Sequence, residues 1–285
     1  MKAYKGFNKD FTCRGFQFEE GKEYEEEEAV LCEKGFHACT NPLDVLNYYN
    51  DVEGKYCEVE LDEVSNDKKE NDSKICGKRI KINTEIGFVG LFKMGIEWLK
   101  EQTIFSKNDT KELEKSSGNY AQIGSSGNGA KIGSSGYGAQ IGSSGNYAQI
   151  GSSGNGAKIG SSGNGAQIGS SGDDAKIGSS GNYAHIGSSG YGAKIGSSGY
   201  GAQIGSSGDG AKIGSSGKNS VVMCAGNNSI AKAKIGSWIT LAEWGRDDNG
   251  DWIPINVVTK RVDGVEIKED TYYKLVNGVF TEVDE

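Results

Sequence analysis

Proline is nearly absent from this 285-residue chain, with 2 residues in all, and no apolar run approaches the roughly 18 residues that a membrane-spanning helix needs. The first absence excludes a collagen-like or proline-rich chain, although glycine numbers 45. The second excludes a helical membrane span. The opening residues, Met1 to Phe7, contain no apolar core of a secretory signal, so a cytoplasmic setting is expected. The 6 cysteines are accordingly expected to be reduced thiols, most of them small buried hydrophobes. One sharper reading is a metal site using Cys32, His37 and Cys39 with Cys13 or Cys57, but its spacing matches no common zinc pattern. Phosphate loops and nucleophile–base pairs are also missing, so neither a cofactor nor catalysis is expected. Hydrophobic residues make up 35% of the chain, too few for a conventional core along its whole length.

Charge divides the chain into three. Residues 1–115 carry a net −7, residues 116–235 a net +5 and residues 236–285 a net −6. The expected organisation is an α+β domain over 1–102, a connection over 103–115, a repeat region over 116–235 and an antiparallel end cap over 236–285.

From Ser116 to Gly214 the unit Ser-Ser-Gly-x-x-Ala-x-Ile-Gly recurs eleven times, as in Ser152–Gly160 and Ser206–Gly214. Fixed-period self-similarity of this kind marks a solenoid whose coils bury their faces on one another. Ala, Ile and the next unit's first Ser lie two residues apart, hence on one face of a strand. The second Ser, the invariant Gly and two variable residues form the turn, where that Gly is expected to supply a positive φ. Two nine-residue units then make an 18-residue coil with two opposed parallel sheets. A three-sided helix would want an apolar residue every sixth position, and the isoleucines fall every ninth. The fold class predicted is mainly β: a two-sheeted β-roll of roughly six coils flanked by a small α+β domain and an antiparallel cap. Rows of inward serines are expected to hydrogen-bond along the rod, because buried hydroxyls need partners.

The outward seventh positions form two rows. Gln122, Gln140, Lys158, Lys176, Lys194 and Lys212 fall on one sheet; Lys131, Gln149, Gln167, His185 and Gln203 fall on the other. Lysines one coil apart make a like-charge ladder suited to an anionic macromolecular surface. Tyr137 and Tyr191, on turns, join Lys158, Lys176, Lys194 and Lys212 as the predicted binding residues. Nucleic acid is a poor partner for a chain that is acidic overall. Calcium is excluded by Ala at the position that carries Asp in calcium-binding nonapeptides.

In the first part, strands are predicted at Lys2–Phe7, Gly15–Glu19, Gly35–Ala38, Lys55–Asp62 and Lys74–Ile82. A helix capped by Asn41 is expected from Pro42. A second helix is expected from Thr84, whose stripe Ile86, Val89, Phe92, Ile96 and Leu99 would cover the first coil. The order Tyr4-Lys5-Gly6-Phe7, Gly35-Phe36-His37 and a helix ending Tyr48-Tyr49 loosely resembles the early strands of ADP-ribosyltransferase-type folds. No Ser-Thr-Ser segment follows, and no catalytic glutamate can be assigned. A broader resemblance covers roughly residues 2–60. Tyr4-Lys5-Gly6-Phe7, Cys13-Arg14-Gly15-Phe16-Gln17, Gly21-Lys22-Glu23-Tyr24, Leu31-Cys32, Gly35-Phe36-His37-Ala38-Cys39 and Asn41-Pro42-Leu43-Asp44-Val45 are similar to an uncharacterised domain of bacterial and phage or prophage proteins. That domain is often followed by short Gly/Ser/Asn-rich repeats. The resemblance implies a virus-associated intracellular setting in a bacterial host cell and a factor that acts on host machinery.

At the far end, Ser237–Trp244 is expected to continue the last coil. Asp247–Asp251 should form a turn, and Val262–Val265 and Leu275–Val279 should form hairpins. This cap would close the rod or serve as a dimer surface. The function expected from sequence is non-catalytic binding, with a host or phage protein as partner and no membrane. The alternatives are a counter-defence factor that inhibits a host protein and an enzyme in the first domain.

Overall fold

The computed structural model describes residues 1–66, 72–102 and 113–283. They fall into two compact units, Met1–Gln102 and Thr103–Glu285, called here the head and the roll.

The head is a small antiparallel sheet with a helical layer. Its strands are β1 (Lys2–Phe7), β2 (Thr12–Cys13), β3 (Phe16–Gln17), β4 (Glu23–Glu25), β5 (Phe36–Cys39), β6 (Lys55–Val64) and β7 (Lys74–Glu85). The main sheet has the order β4-β7-β5-β1-β6, and β6 also pairs with β7, which closes four strands into a barrel. The expected strand at Gly15–Glu19 is instead a minimal hairpin, β2 with β3, turned by Arg14 (φ 51°) and Gly15 (φ 80°). Alternation along β1 sends Ala3 and Phe7 to a core shared with Phe18, Phe36, Val59 and Ile82. It sends Tyr4 to the other side, onto Leu43, Leu46, Tyr56, Leu91 and Phe92.

The segment after Asn41 is a 3₁₀ helix, Pro42–Asn47, capped by the Asn41 side chain, which accepts the Leu43 N–H at 3.0 Å. The long helix α1 (Gly87–Gln102) begins three residues later than expected, because Asn83 to Glu85 still belong to β7. Of its expected stripe, Phe92 and Leu99 share a core inside the head with Phe88, Leu91, Leu43, Leu46 and Tyr56, and Ile86 and Val89 pack against that core half-buried.

The roll has the predicted two-sheeted solenoid form, with about 7 turns where six were expected. Leu113–Ser116 is already a strand, although 113–115 were expected to belong to the connection, and it pairs in parallel with Lys131–Ser134. The rest of that connection, 103–112, lies outside the described residues. One sheet stacks Lys131, Gln149, Gln167, His185, Gln203 and Val221 in register; the other stacks Gln122, Gln140, Lys158, Lys176, Lys194 and Lys212. We call these the glutamine sheet and the lysine sheet. Isoleucines eighteen residues apart sit on one another, from Ile132 and Ile150 through Ile195 and Ile213, and all are buried with the alanines.

Three details differ from expectation. The invariant third-position glycine does not have a positive φ; the fifth position does, whether it is Gly129 (69°), Tyr120 (57°), Tyr147 (59°) or Asp174 (54°). The third glycine is needed for another reason. A Cβ on Gly190 would lie 2.1 Å from the carbonyl oxygen of Gly172, one coil below. Second, the inward serines do not bond along the rod. Ser143, Ser161, Ser179 and Ser197 on one sheet, and Ser152, Ser170, Ser188 and Ser206 on the other, have no hydrogen-bond partner in the protein. Coils about 4.8 Å apart hold successive hydroxyls beyond bonding reach, and their other neighbours are Ala and Ile. Third, the fourth-position Asn and Asp form ladders along the corners. Asn128 accepts the Asn146 N–H (2.9 Å), Asn146 that of Asn164 (2.8 Å) and Asn164 that of Asn182 (2.9 Å).

Beyond the repeats, Trp238–Arg246 extends the glutamine sheet in parallel, as expected, and Trp252–Arg261 folds back on it. The Asp247–Asp251 turn and the Asn277-Gly278 hairpin both form. Val262–Val265 is not a hairpin. There Asp263 Oδ1 gathers the N–H groups of Val265, Glu266 and Ile267 into a turn with no strand after it. Glu243 ties the two hairpins together by accepting from Asn277 N, Gly278 N and Asn256 Nδ2.

Candidate functional site

Two places gather chemistry, and they differ in kind. On the roll, the backbone register lines up the predicted lysines as foreseen, with Lys158, Lys176, Lys194 and Lys212 successive in one row. They are not displayed, however. Lys158 is 4% exposed and Lys176 is 9% exposed, while Lys194 and Lys212 are half-buried. Burial pushes the Lys176 ammonium down to about 8, and its neighbours Lys158 and Lys194 push the same way. Lys212 also rests on the Tyr272 ring, 4.9 Å from its centre. Register fixes which residues share a row, but it does not decide which face of a roll stays open.

The open face is the opposite one. Gln149, Gln167, His185 and Gln203 are exposed in a row beside Gly151, Gly169 and Gly187. A Cβ built on Gly151, Gly169, Gly187 or Gly205 would meet no atom within 4 Å. These columns floor a shallow trough of about 920 Å³ that ends at Val221 and Met223. Tyr137 and Tyr191 lie on neither sheet. Both stand exposed on one corner of the roll, Tyr137 edge-on to Tyr120 with centroids 5.6 Å apart. Structure therefore does not bring the six predicted residues to one surface.

The second place is a cleft in the head, about 380 Å³ in volume, that sequence reading did not single out. It is lined by Tyr4-Lys5-Gly6 of β1, by Gly35-Phe36-His37 at β5, and by Tyr48 and Tyr49 after the 3₁₀ helix, with Cys13, Arg14, Phe16, Phe18 and Lys74. Lys5 occupies an inward position of β1, between Ala3 and Phe7, where an apolar residue would be ordinary. Its ammonium donates to the His37 carbonyl (3.0 Å), approaches Cys13 Sγ (3.5 Å) and faces the Phe7 and Phe18 rings. Burial lowers its pKa from the ordinary lysine value. Tyr49 donates its hydroxyl to Cys13 Sγ at 2.9 Å, and burial holds its pKa above the ordinary tyrosine value. Lys74 lies over the Tyr48 ring at 4.3 Å, and the Tyr48 hydroxyl is bonded to Asp72.

His37 Nε2 accepts the Cys32 N–H at 2.8 Å, so the imidazole is neutral with its proton on Nδ1. Burial, then the cations Lys74, Lys5 and Arg14, push its pKa down to about 4. Cys39 faces the helical core while Cys57 faces the barrel core, and no three His, Cys, Asp or Glu side chains gather as metal ligands among the described residues. The Nε2 lone pair of His37 is thus engaged by the Cys32 N–H. The signal that could have exposed the cleft was Lys5 itself, a charge at the centre of the alternation Ala3, Lys5, Phe7.

No described helix is long and apolar enough to cross a membrane. Neither a curated protein nor a solved structure matches the chain. Residues 1–94, about a third of the chain and nearly all of the head, match a family model described as a domain of unknown function (DUF7666). The head is what this chain has in common with that family, and the likeness brings no activity with it.

Proposed function

We propose that this is a non-catalytic binding protein whose roll is a stiff scaffold that docks a protein partner on the glutamine sheet. The observation that carries the reading is the row Gln149, Gln167, His185 and Gln203 beside glycines whose missing side chains leave open space. A partner's backbone can come close over a glycine column, and primary amides at a pitch of about 4.8 Å offer both a donor and an acceptor to it. The ladder is held by backbone bonds at every coil, so the surface is preorganised and little ordering entropy is lost on docking. The sequence resemblance favours a host protein as that partner; the geometry speaks only to a flat, polar, protein-like surface.

The test uses substitutions that change the surface and spare the fold. Gly169→Trp with Gly187→Trp places two rings on the open face, and neither position has a positive φ or a crowded Cβ. A photo-crosslinking residue at Gln167 is expected to capture one protein in cells, and the double tryptophan variant to lose it. Lys158→Gln with Lys176→Gln is expected to retain it. Capture that persists in the tryptophan variant and disappears in the lysine variant would return the interface to the lysine row and defeat the proposal.

A further inference from the structure

The head holds cations that its own carboxylates do not neutralise. Around the outside of the barrel, Lys2 pairs with Glu58, Lys34 with Glu28, Lys55 with Glu85, Lys78 with Glu63, Arg79 with Asp62 and Glu63, and Lys81 with Glu23. Lys5, Arg14 and Lys74 have no such partner among the described residues, and all three line the one cleft. Two of them are removed from water, Lys5 at 7% exposed and Lys74 at 9%. An ammonium buried without a counter-charge costs free energy, and proteins keep such an arrangement mainly where a site needs it. Acids were not in short supply, because residues 1–115 carry a net −7. The two that line the cleft, Glu26 and Glu33, sit at exposed positions, while Lys5 and Lys74 are buried.

The remaining lining is aromatic: Phe16, Phe18, Phe36, Tyr48 and Tyr49. Phe16 stands edge-on to Phe18 at 4.8 Å and remains exposed on its other side. At about 380 Å³ the cleft lies within the size range of small-molecule sites. Buried positive charge beside ring faces is the chemistry that recognises a planar ring carrying an anionic group.

We infer that the head cleft is a binding site for a small planar anion, a heteroaromatic ring bearing a phosphate group, with Lys5, Lys74 and Arg14 holding the phosphate and the aromatic wall the ring. This site is separate from the glutamine sheet, so its failure leaves the docking proposal standing, and the reverse also holds. An anion beside Lys5 would also favour the charged form of an amine that burial disfavours.

Calorimetry on the full chain tests this with the four ribonucleoside monophosphates, and with adenosine and inorganic phosphate as partial probes. At least one monophosphate is expected to bind ten times more tightly than either partial probe. Arg14→Gln, at an exposed position, and Lys74→Gln are each expected to weaken it about tenfold. Lys5→Met separates ligand binding from a structural role. It removes a buried, unneutralised charge, so the melting temperature is expected to hold or rise while the nucleotide is lost. Absence of heat with every monophosphate would overturn the inference, as would adenosine binding as tightly as its phosphate. Binding that survives all three substitutions would overturn it too, and so would a Lys5→Met variant that melts lower yet binds unchanged.

Discussion

The roll and the head solve the same problem, burying enough surface to stay folded, by opposite means. In the roll every interaction recurs at eighteen residues, so the Ile141–Ile159 contact is also the Ile159–Ile177 contact. Nothing there is unique, and recognition has to be by surface. In the head each contact occurs once, β1 separates two different cores, and singular groups such as Lys5, Cys13 and His37 meet in one cleft. Repetition gives stiffness and a regular face; aperiodicity gives a pocket. Glycine shows the contrast within one residue type. A Cβ on Gly190 would lie 2.1 Å from the backbone carbonyl oxygen of Gly172, whereas one on Gly95 of α1 would lie 2.6 Å from Cγ of the Leu43 side chain.

That contrast can be broken most sharply by adding one methyl group in each place. Gly190→Ala is expected to destabilise the roll by about 3 kcal/mol, because a neighbouring coil held by ladder bonds on both sides cannot move away. Gly95→Ala is expected to cost the head less, about 1–2 kcal/mol, since Leu43 can change rotamer. Gly187→Ala, three residues before Gly190 but facing open space, should change stability by less than about 0.5 kcal/mol. Urea unfolding followed by hydrogen exchange in each unit reads all three. Equal losses at Gly187 and Gly190 would show that coil spacing, and not the carbonyl contact, selects the third glycine.

A smaller effect tests the corner ladder. Asn164→Ala removes the acceptor of the Asn182 N–H and is expected to cost about 1 kcal/mol, felt in the coils on either side. Tyr200 sits at the same corner position and donates its N–H to Asn182, while its hydroxyl accepts from Asn219 Nδ2 of the next coil at 2.7 Å. Tyr200→Asn exchanges that bond for a ladder acceptor, so its expected gain is smaller, under about 0.5 kcal/mol. Thermal melting of the two variants checks the pair of opposite signs.

These outcomes also mark what could be read in advance. The two walls, the eighteen-residue coil and the isoleucine stacks were legible, because a period of nine with strict alternation leaves a single way to bury Ala and Ile together. The reason for the third glycine was not. Its neighbour is eighteen residues away, and a local reading gives every turn glycine the same job. The true positive-φ site accepts Tyr120, Tyr147, Tyr183 and Asp174, which hid it. Each of those tyrosines lays its ring over the next coil's glycine, Gly138, Gly165 or Gly201, a through-space rule that sequence pattern does not state. Which sheet remains open was equally hidden, since both rows carry lysine and glutamine. In the head, β1, β5, β6 and β7 were legible to within a few residues while β4 and the β2–β3 hairpin were not. The cleft forms only when β1, β5 and the 3₁₀ helix meet, and their spacing along the chain records none of that.

A last difference separates the two units by acid. His37 is held neutral by burial and by Lys74, Lys5 and Arg14, with its pKa pushed down to about 4 against about 6.5 in an unfolded chain. Between those values the unfolded chain binds a proton that the folded head does not. Stability from this group is therefore complete above about pH 6.5 and declines as the pH falls toward 4. The roll's interior of Ala, Ile and Ser holds nothing that titrates in that window. Hydrogen exchange at pH 7 and pH 5 is expected to show the head loosening while the repeats do not. His37→Gln, which keeps an acceptor for the Cys32 N–H, should flatten the head's response. A head whose protection falls just as steeply in that variant would place the acid sensitivity on its carboxylates and remove His37 from the account.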